Sequence, residues 1–263
     1  MPLSKSTQSK LFRIGYLTKG LLYLGIGGFA VATVVGAAKS TNGPKGVIDW
    51  VSDSPFGQTA LALVGIGLAA YALWRWYAAV ADVEDAGSDM MGIIKRIGWA
   101  VSGTAYGLLA VYAFNCLLGS SSGGSDNGKE HMIATLLKQP YGPWLVGLIA
   151  LIIAGVGIYQ LYKGVTDKHM EGVGVEHLHN DVEDTFRYTG RIGLAARFVV
   201  YGIIAYFLFR AATLSDADKF RGIGDAMSSL RGGDFGSALL MSLGAGMLAY
   251  GLFMLVRARY ERV

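Results

Sequence analysis

Apolar residues fill six long blocks of the chain, at about 12–36, 56–79, 97–118, 142–164, 190–213 and 236–258, with polar stretches between them. Each block is near the ~20 residues with which a helix crosses a hydrocarbon core of ~30 Å. Backbone groups in lipid must bond within their own segment, so the blocks predict six transmembrane helices. The first block is too long for a cleavable signal peptide and has no small-residue cleavage site. Inside the outer connections, "GVIDWVSDSP", "HMIATLLKQP" and "GIGDAMSSLRGG" carry short apolar patterns that predict helices lying at the interface. "GSSSGGSDNG" at 119–128 reads as a flexible linker, and the loop 164–189 is the longest polar segment.

The blocks repeat in pairs. Arg13, Arg96 and Arg191 correspond, as do Gly15, Gly98 and Gly193, then Lys19, Ser102 and Arg197, then Tyr23, Tyr106 and Tyr201. The second helix repeats as well: "SPFGQTALALVGIGLAAYALWRWYAAVAD" aligns without a gap to "QPYGPWLVGLIALIIAGVGIYQLYKGVTD" and to "GDFGSALLMSLGAGMLAYGLFMLVRARYE". That frame pairs Gly57, Gly142 and Gly236 at one end and Asp82, Asp167 and Glu261 at the other. The expected architecture is an all-α integral membrane protein of three tandem helical hairpins, over 10–85, 93–170 and 188–263, behind a tail at 1–9. Two spans per unit give every unit the same orientation, which predicts pseudo-threefold symmetry about the membrane normal.

Composition supports a lipid environment. Of 263 residues 52% are hydrophobic and 16% charged, against roughly 25% charged in soluble domains. Glycine is abundant (38) and proline sparse (5), a balance suited to packed membrane helices. Cys116 is the single cysteine, which excludes an intrachain disulfide and a thiolate metal cluster. The net charge of +4 is spread over segment ends rather than along one stripe, so nucleic acid is not an expected partner. Fifteen Lys and Arg fall on the side of the two termini and eight on the other, which predicts cytoplasmic termini. Trp74, Trp76 and Trp99 at the inner interface, with Trp50 and Trp144 at the outer, are expected to form aromatic belts.

The chain resembles a family of bacterial membrane proteins catalogued as "domain of unknown function 1206". The resemblance rests on the triplicated Arg-x-Gly start, followed by an aromatic in the first two copies, the Tyr ten residues on, the Pro-x-Gly or Asp-x-Gly outer corner, and the closing "GAGMLAYGLFMLVRARYERV". It covers about Lys10 to Val263, and implies this fold and a bacterial inner (plasma) membrane location, with no assigned activity.

Four sets of residues are candidates for more than span-building. Arg13, Arg96 and Arg191 enter the membrane where Asp82, Asp167 and Glu261 leave it, an ion-pair rim that reads either as a structural clamp of snorkelling arginines or as a gate. Lys19 and Tyr23 lie four apart on one helix face, as do Arg197 and Tyr201. With Tyr106, Ser102 and Asn115 they either glue helices together or line an axial site. Glu176, His177, His179 and Asp181, with His169 upstream, are weak metal-ligand candidates in a polar loop, since zinc needs about four ligands at short spacing. Small-residue stripes at Gly28, Ala32 and Gly36, at Gly103 and Gly107, and at Ser242 and Gly246 are expected to bring helix backbones close.

No phosphate-binding loop, no Ser/His/Asp set within the spans and no intramembrane carboxylate pair is present, so no enzyme is expected, and no cofactor. The leading expectation is a non-enzymatic structural or accessory subunit that packs with lipid, a partner membrane protein or a second copy. A small-solute channel or carrier with an axial pathway is the alternative, and a metal-binding sensor through the inner loop the third.

Overall fold

A computed structural model describes residues 4–38, 43–82, 87–119, 133–171, 173, 180–216, 219 and 236–260. The elements are α1 (Lys5–Val34), α2 (Pro44–Ser52), α3 (Gly57–Ala81), α4 (Met90–Leu117), α5 (133–137), α6 (Gly142–Val165), α7 (Asn180–Leu214) and α8 (Gly236–Tyr260). Among the described residues α1, α3, α4, α6, α7 and α8 are long and apolar enough to cross a membrane, six in all. α1 and α4 start ahead of their apolar blocks because a side chain caps each first turn. Ser4 Oγ accepts from the Thr7 amide at 3.2 Å, and Asp89 Oδ1 accepts from the Gly92 amide at 3.0 Å.

Helix ends repeat along with helix faces. Gly36 (φ 77°) and Gly119 (φ 69°) are equivalent residues that stop α1 and α4 in the left-handed conformation open to glycine. Asp82 (φ 50°) and Asp167 (φ 54°) are likewise equivalent and left-handed, a conformation aspartate tolerates better than most residues. The recurring acid is therefore a backbone feature as well as a charge. α2 occupies the connection from α1 to α3 with Val47 and Ile48 buried, and α5 the one from α4 to α6 with Ile133 buried. The third expected interfacial piece, at 222–233, lies outside the described residues, as does 120–128 of the expected linker.

Contact between repeats recurs at matching positions, because glycine and alanine let backbones approach where lipid offers no hydrophobic drive. A Cβ on Gly251 of α8 would stand 2.9 Å from the Gly20 carbonyl oxygen of α1. At the matching positions, a Cβ on Gly103 of α4 would stand 3.1 Å from the Ala72 oxygen of α3, and one on Gly157 of α6 3.5 Å from the Phe198 oxygen of α7. Two of the expected stripe residues do something else: nothing lies within 4 Å of a Cβ on Gly28 or Gly36, and Gly36 ends its helix instead.

Contact within repeats is uneven. A Cβ on Gly15 would lie 2.6 Å from the Cα of Tyr71, and one on the equivalent Gly193 2.6 Å from the Cα of Tyr250. On Gly98, the same position in the middle repeat, it would meet nothing within 4 Å. Round the bundle the neighbours α4–α3–α1–α8–α7–α6 pack side by side, while α4 and α6 at the two ends make no comparable contact. The bundle is an open ring whose mouth is the middle hairpin. Accordingly only 17% of the apolar stretch is buried in α4 and in α6, against 44–50% in the other four spans.

Trp74 departs from the expected belt. It is buried, edge-on to Phe12 at 5.5 Å between ring centroids, because its helix face points into the α1–α3 contact.

Candidate functional site: cations and phenols in the bundle centre

The rim residues do three different jobs. Arg191 forks onto Asp167, Nε to Oδ1 at 2.8 Å and Nη2 to Oδ2 at 2.6 Å, so the guanidinium holds that carboxyl below the usual carboxylate range against the opposing effect of burial. Arg187 stands 3.8 Å from the same carboxylate and pairs with Glu183 at 2.6 Å. Arg96 instead donates to the carbonyls of Ala79 (2.7 Å) and Val80 (3.0 Å), capping the negative end of α3. Asp82 accepts from the Gly87 amide at 2.9 Å, and Arg13 is exposed. Glu261 lies outside the described residues.

Of the loop candidates, Glu176, His177 and His179 lie outside the described residues, and Asp181 falls in the first turn of α7 with its side chain also outside them. His169 is buried between two helix ends, with Nδ1 3.1 Å from the Lys163 oxygen and Nε2 3.2 Å from the Arg187 oxygen. Burial pushes its pKa below the ordinary imidazole value, partly offset by those carbonyls. It ties the end of α6 to the start of α7.

Deep in the bundle the repeat positions converge. Lys19 and Arg197, equivalent residues of repeats 1 and 3, are 6% and 9% exposed. Lys19 Nζ donates to the Tyr71 hydroxyl at 2.8 Å and lies 4.8 Å from that ring's centroid and 5.5 Å from that of Tyr106. Arg197 Nη1 donates to the Tyr250 hydroxyl at 2.5 Å and Nη2 to the Tyr201 hydroxyl. Its guanidinium carbon stands 4.6 Å from the Tyr250 centroid and 5.6 Å from that of Tyr23, an arrangement worth about 2 kcal/mol per ring once desolvated. Arg75 joins from α3, giving Nε to Tyr71 (2.9 Å) and Nη2 to Tyr16 (2.6 Å). With its amide oxygen turned toward the guanidinium, Gln160 of α6 accepts from Arg197 Nη1 at 2.9 Å.

Phenols thus hold two buried cations. None of the ion pairs among the described residues includes Lys19 or Arg197. Arg197 Nε is buried without a hydrogen-bond partner, and the residue lines a cavity of about 10 Å³ with Tyr23, Ile26, Val200, Tyr201 and Met247. That volume is at the lower bound for one water. Ser102 and Asn115 lie half-buried on α4.

Sequence reading by first helices alone omits Tyr71, Tyr250, Arg75 and Gln160. Tyr71 and Tyr250 occupy one position of the second-helix alignment, so the same comparison, carried inward from the Gly and acid ends, picks them out. Nothing in the sequence marks Gln160, which the α6–α7 contact brings to the cluster.

Three like-facing helical hairpins, with ionisable residues confined to helix ends and one central cluster, define a multi-pass membrane protein of the repeat-built kind. The sequence model of the family described as Domain of Unknown Function (DUF1206) matches residues 14–82, 97–167 and 192–261, and the chain belongs to that family. It is similar to "Uncharacterized protein YxxB" of Bacillus subtilis (strain 168), 30% identical over 251 residues that cover 95% of this chain and 90% of the relative. No solved structure matches the chain.

Proposed function

We propose that this protein is a non-enzymatic carrier that binds an anion at the Lys19–Arg197 cluster, in the plasma membrane of a bacterium with both termini in the cytoplasm. One observation carries the reading: two buried mid-span cations contact phenols, and no carboxylate neutralises either among the described residues. A charge at the bilayer centre costs about 2.5–3.5 kcal/mol even on the mildest scale, so such a residue marks a functional site by default. Phenol hydroxyls orient both cations, no described carboxylate offsets their charge, and an incoming anion does so. The centre is closed by side chains in the state described, so passage requires helices to move, as a carrier's do. Orientation rests on the excess of Lys and Arg on the side of the termini.

The test is flux of labelled acetate, chloride and phosphate into liposomes holding the purified protein, with K19Q and R197Q compared. Saturable uptake of at least one of these, falling about tenfold or more on loss of one charge-assisted contact, is expected. Uptake no greater than in empty liposomes, with no anion raising the protein's thermal stability, removes the reading. A second reading, an accessory subunit, draws support from Gly98 and Gly155, which lie bare on the open sides of α4 and α6. Gentle-detergent co-purification of a stoichiometric partner would favour it.

A further inference from the structure

Repeat 2 departs from its neighbours at the positions that build the cluster. Where repeats 1 and 3 place Lys19 and Arg197, it has Ser102. Where they place Tyr71 and Tyr250, it has Val156. Tyr71 and Tyr250 are 0% and 2% exposed, while Val156 is 43% exposed. The hairpin that lost a cation and a phenol is also the one whose helices fail to meet, leaving Gly98 uncovered. The missing side chains and the missing contact coincide, so the slot between α4 and α6 is the room that a long cation and a tyrosine would otherwise fill.

The cations lie behind two side chains of the slot's own helices. Tyr106 reaches the cluster from α4 and Gln160 from α6, and both are half-buried, whereas Tyr23, Tyr71 and Tyr250 close the remaining sides and are buried. The helices flanking it are aliphatic: Ile97, Val101 and Leu108 are exposed on α4, and Leu148, Ile152 and Ile158 on α6. Such flanks give a hydrated ion no replacement for its water shell, but they accept a hydrocarbon chain. The inner end offers what the flanks lack, a guanidinium with an unpartnered Nε and an ammonium among hydroxyls.

Resting on the anion reading above, we propose that the ligand is a single-chain anionic amphiphile, a long-chain carboxylate, which reaches Arg197 and Lys19 sideways from the bilayer through the α4–α6 slot. A carboxylate is the smallest common anionic head and matches a guanidinium fork. One slot accommodates one chain, and a carboxylate asks for less side-chain displacement at the closed centre than a bulkier phosphodiester would. Charge complementarity, rather than bare apolar surface, selects this occupant over a neutral lipid or a helix.

The experiment measures binding of dodecanoate, dodecanol and acetate to the full-length protein in a non-ionic detergent, by native mass spectrometry and thermal shift. Variants are V156W, which fills the slot at an already exposed position, and R197Q. Expected is a 1:1 dodecanoate adduct, weakened about tenfold or more by either variant, with dodecanol bound far more weakly, as follows from losing one charge-assisted contact. Should R197Q fail to fold, V156W alone carries the comparison. Acetate binding as tightly as dodecanoate and unmoved by V156W would overturn the amphiphile while leaving the anion reading intact. No binding of either anion would remove both. Dodecanol matching dodecanoate would show that the cations do not recognise the head, and a dimer that V156W dissociates would assign the slot to a second copy; either result overturns the proposal.

Discussion

The glycine of the Arg-Ile-Gly triplet occurs once per repeat, and the three copies face different surroundings. Gly15→Ala and Gly193→Ala each put a methyl group 2.6 Å from a tyrosine Cα on the facing helix, while Gly98→Ala puts it in open space. Carbon atoms settle at about 3.5–4.0 Å, so the first two crossings must open by roughly 1 Å. The obstacle is backbone, which does not swing aside as a flexible side chain would. Overpacking of this kind costs about 1–3 kcal/mol. Alanine also gains up to about 1 kcal/mol of helix propensity over glycine, but that gain is shared by all three variants and cancels between them. The quantity to measure is therefore the difference: G15A and G193A should each be less stable than G98A by about 1–3 kcal/mol. Unfolding in mixed micelles with rising dodecyl sulfate, followed by tryptophan fluorescence and far-UV circular dichroism, reads it directly. A G98A penalty equal to that of the other two would refute the open middle hairpin.

Three further outcomes follow. The lowered pKa of the Asp167 carboxyl gives a stabilisation that is complete above the unfolded-state value near ~4 and is lost as pH falls through the lower folded value. With side chains 41% and 34% exposed, the pair with Arg191 is worth no more than about 1 kcal/mol, so D167N should lose that little at pH 7 and flatten the acid limb of the unfolding curve. His169, held neutral by burial, contributes stability present above about pH 6.5 and lost as pH falls through its lower folded value, because only the unfolded chain then takes up the proton. H169Q should therefore lessen the fall in melting temperature between pH 7.5 and pH 5.5, roughly the range spanned by an ordinary histidine titration. Finally, the double variant K19M/R197M should hold or raise resistance to unfolding while abolishing anion binding, since buried charge costs about 2.5–3.5 kcal/mol per residue that cation–π contacts only partly offset. A collapse of stability in this variant would mean that the cations serve folding instead.

The hairpins were legible because two signals act at separate scales. Apolar length fixed the spans, and three matched sets of residues, such as Tyr23, Tyr106 and Tyr201, fixed the unit. Lys19, Arg197 and Tyr201 could be picked from helix spacing alone, since residues four apart share a face. Which other faces meet them could not, because packing in lipid is decided by small residues whose partners lie far along the chain. Gly20 against Gly251 is such a pairing, and so is Gly157 against Phe198. The rim was harder still. Asp82 and Asp167 look like two copies of one charge, yet one accepts a loop amide and the other forks an arginine. Local turn geometry dictates the first and the neighbouring helix the second, and neither is written in spacing.

The contact of α1 with α8 joins residues more than two hundred positions apart, Gly27 beside Gly244 and Gly20 beside Gly251. During synthesis α1 enters the bilayer long before α8 and must wait, the glycine face that α8 will cover lined by lipid tails, until α8 leaves the ribosome. Closure of this contact is therefore gated by the arrival of α8, and a chain cut short before it would leave behind a partly docked bundle with one face of α1 unclaimed, a ready signal for quality-control proteases.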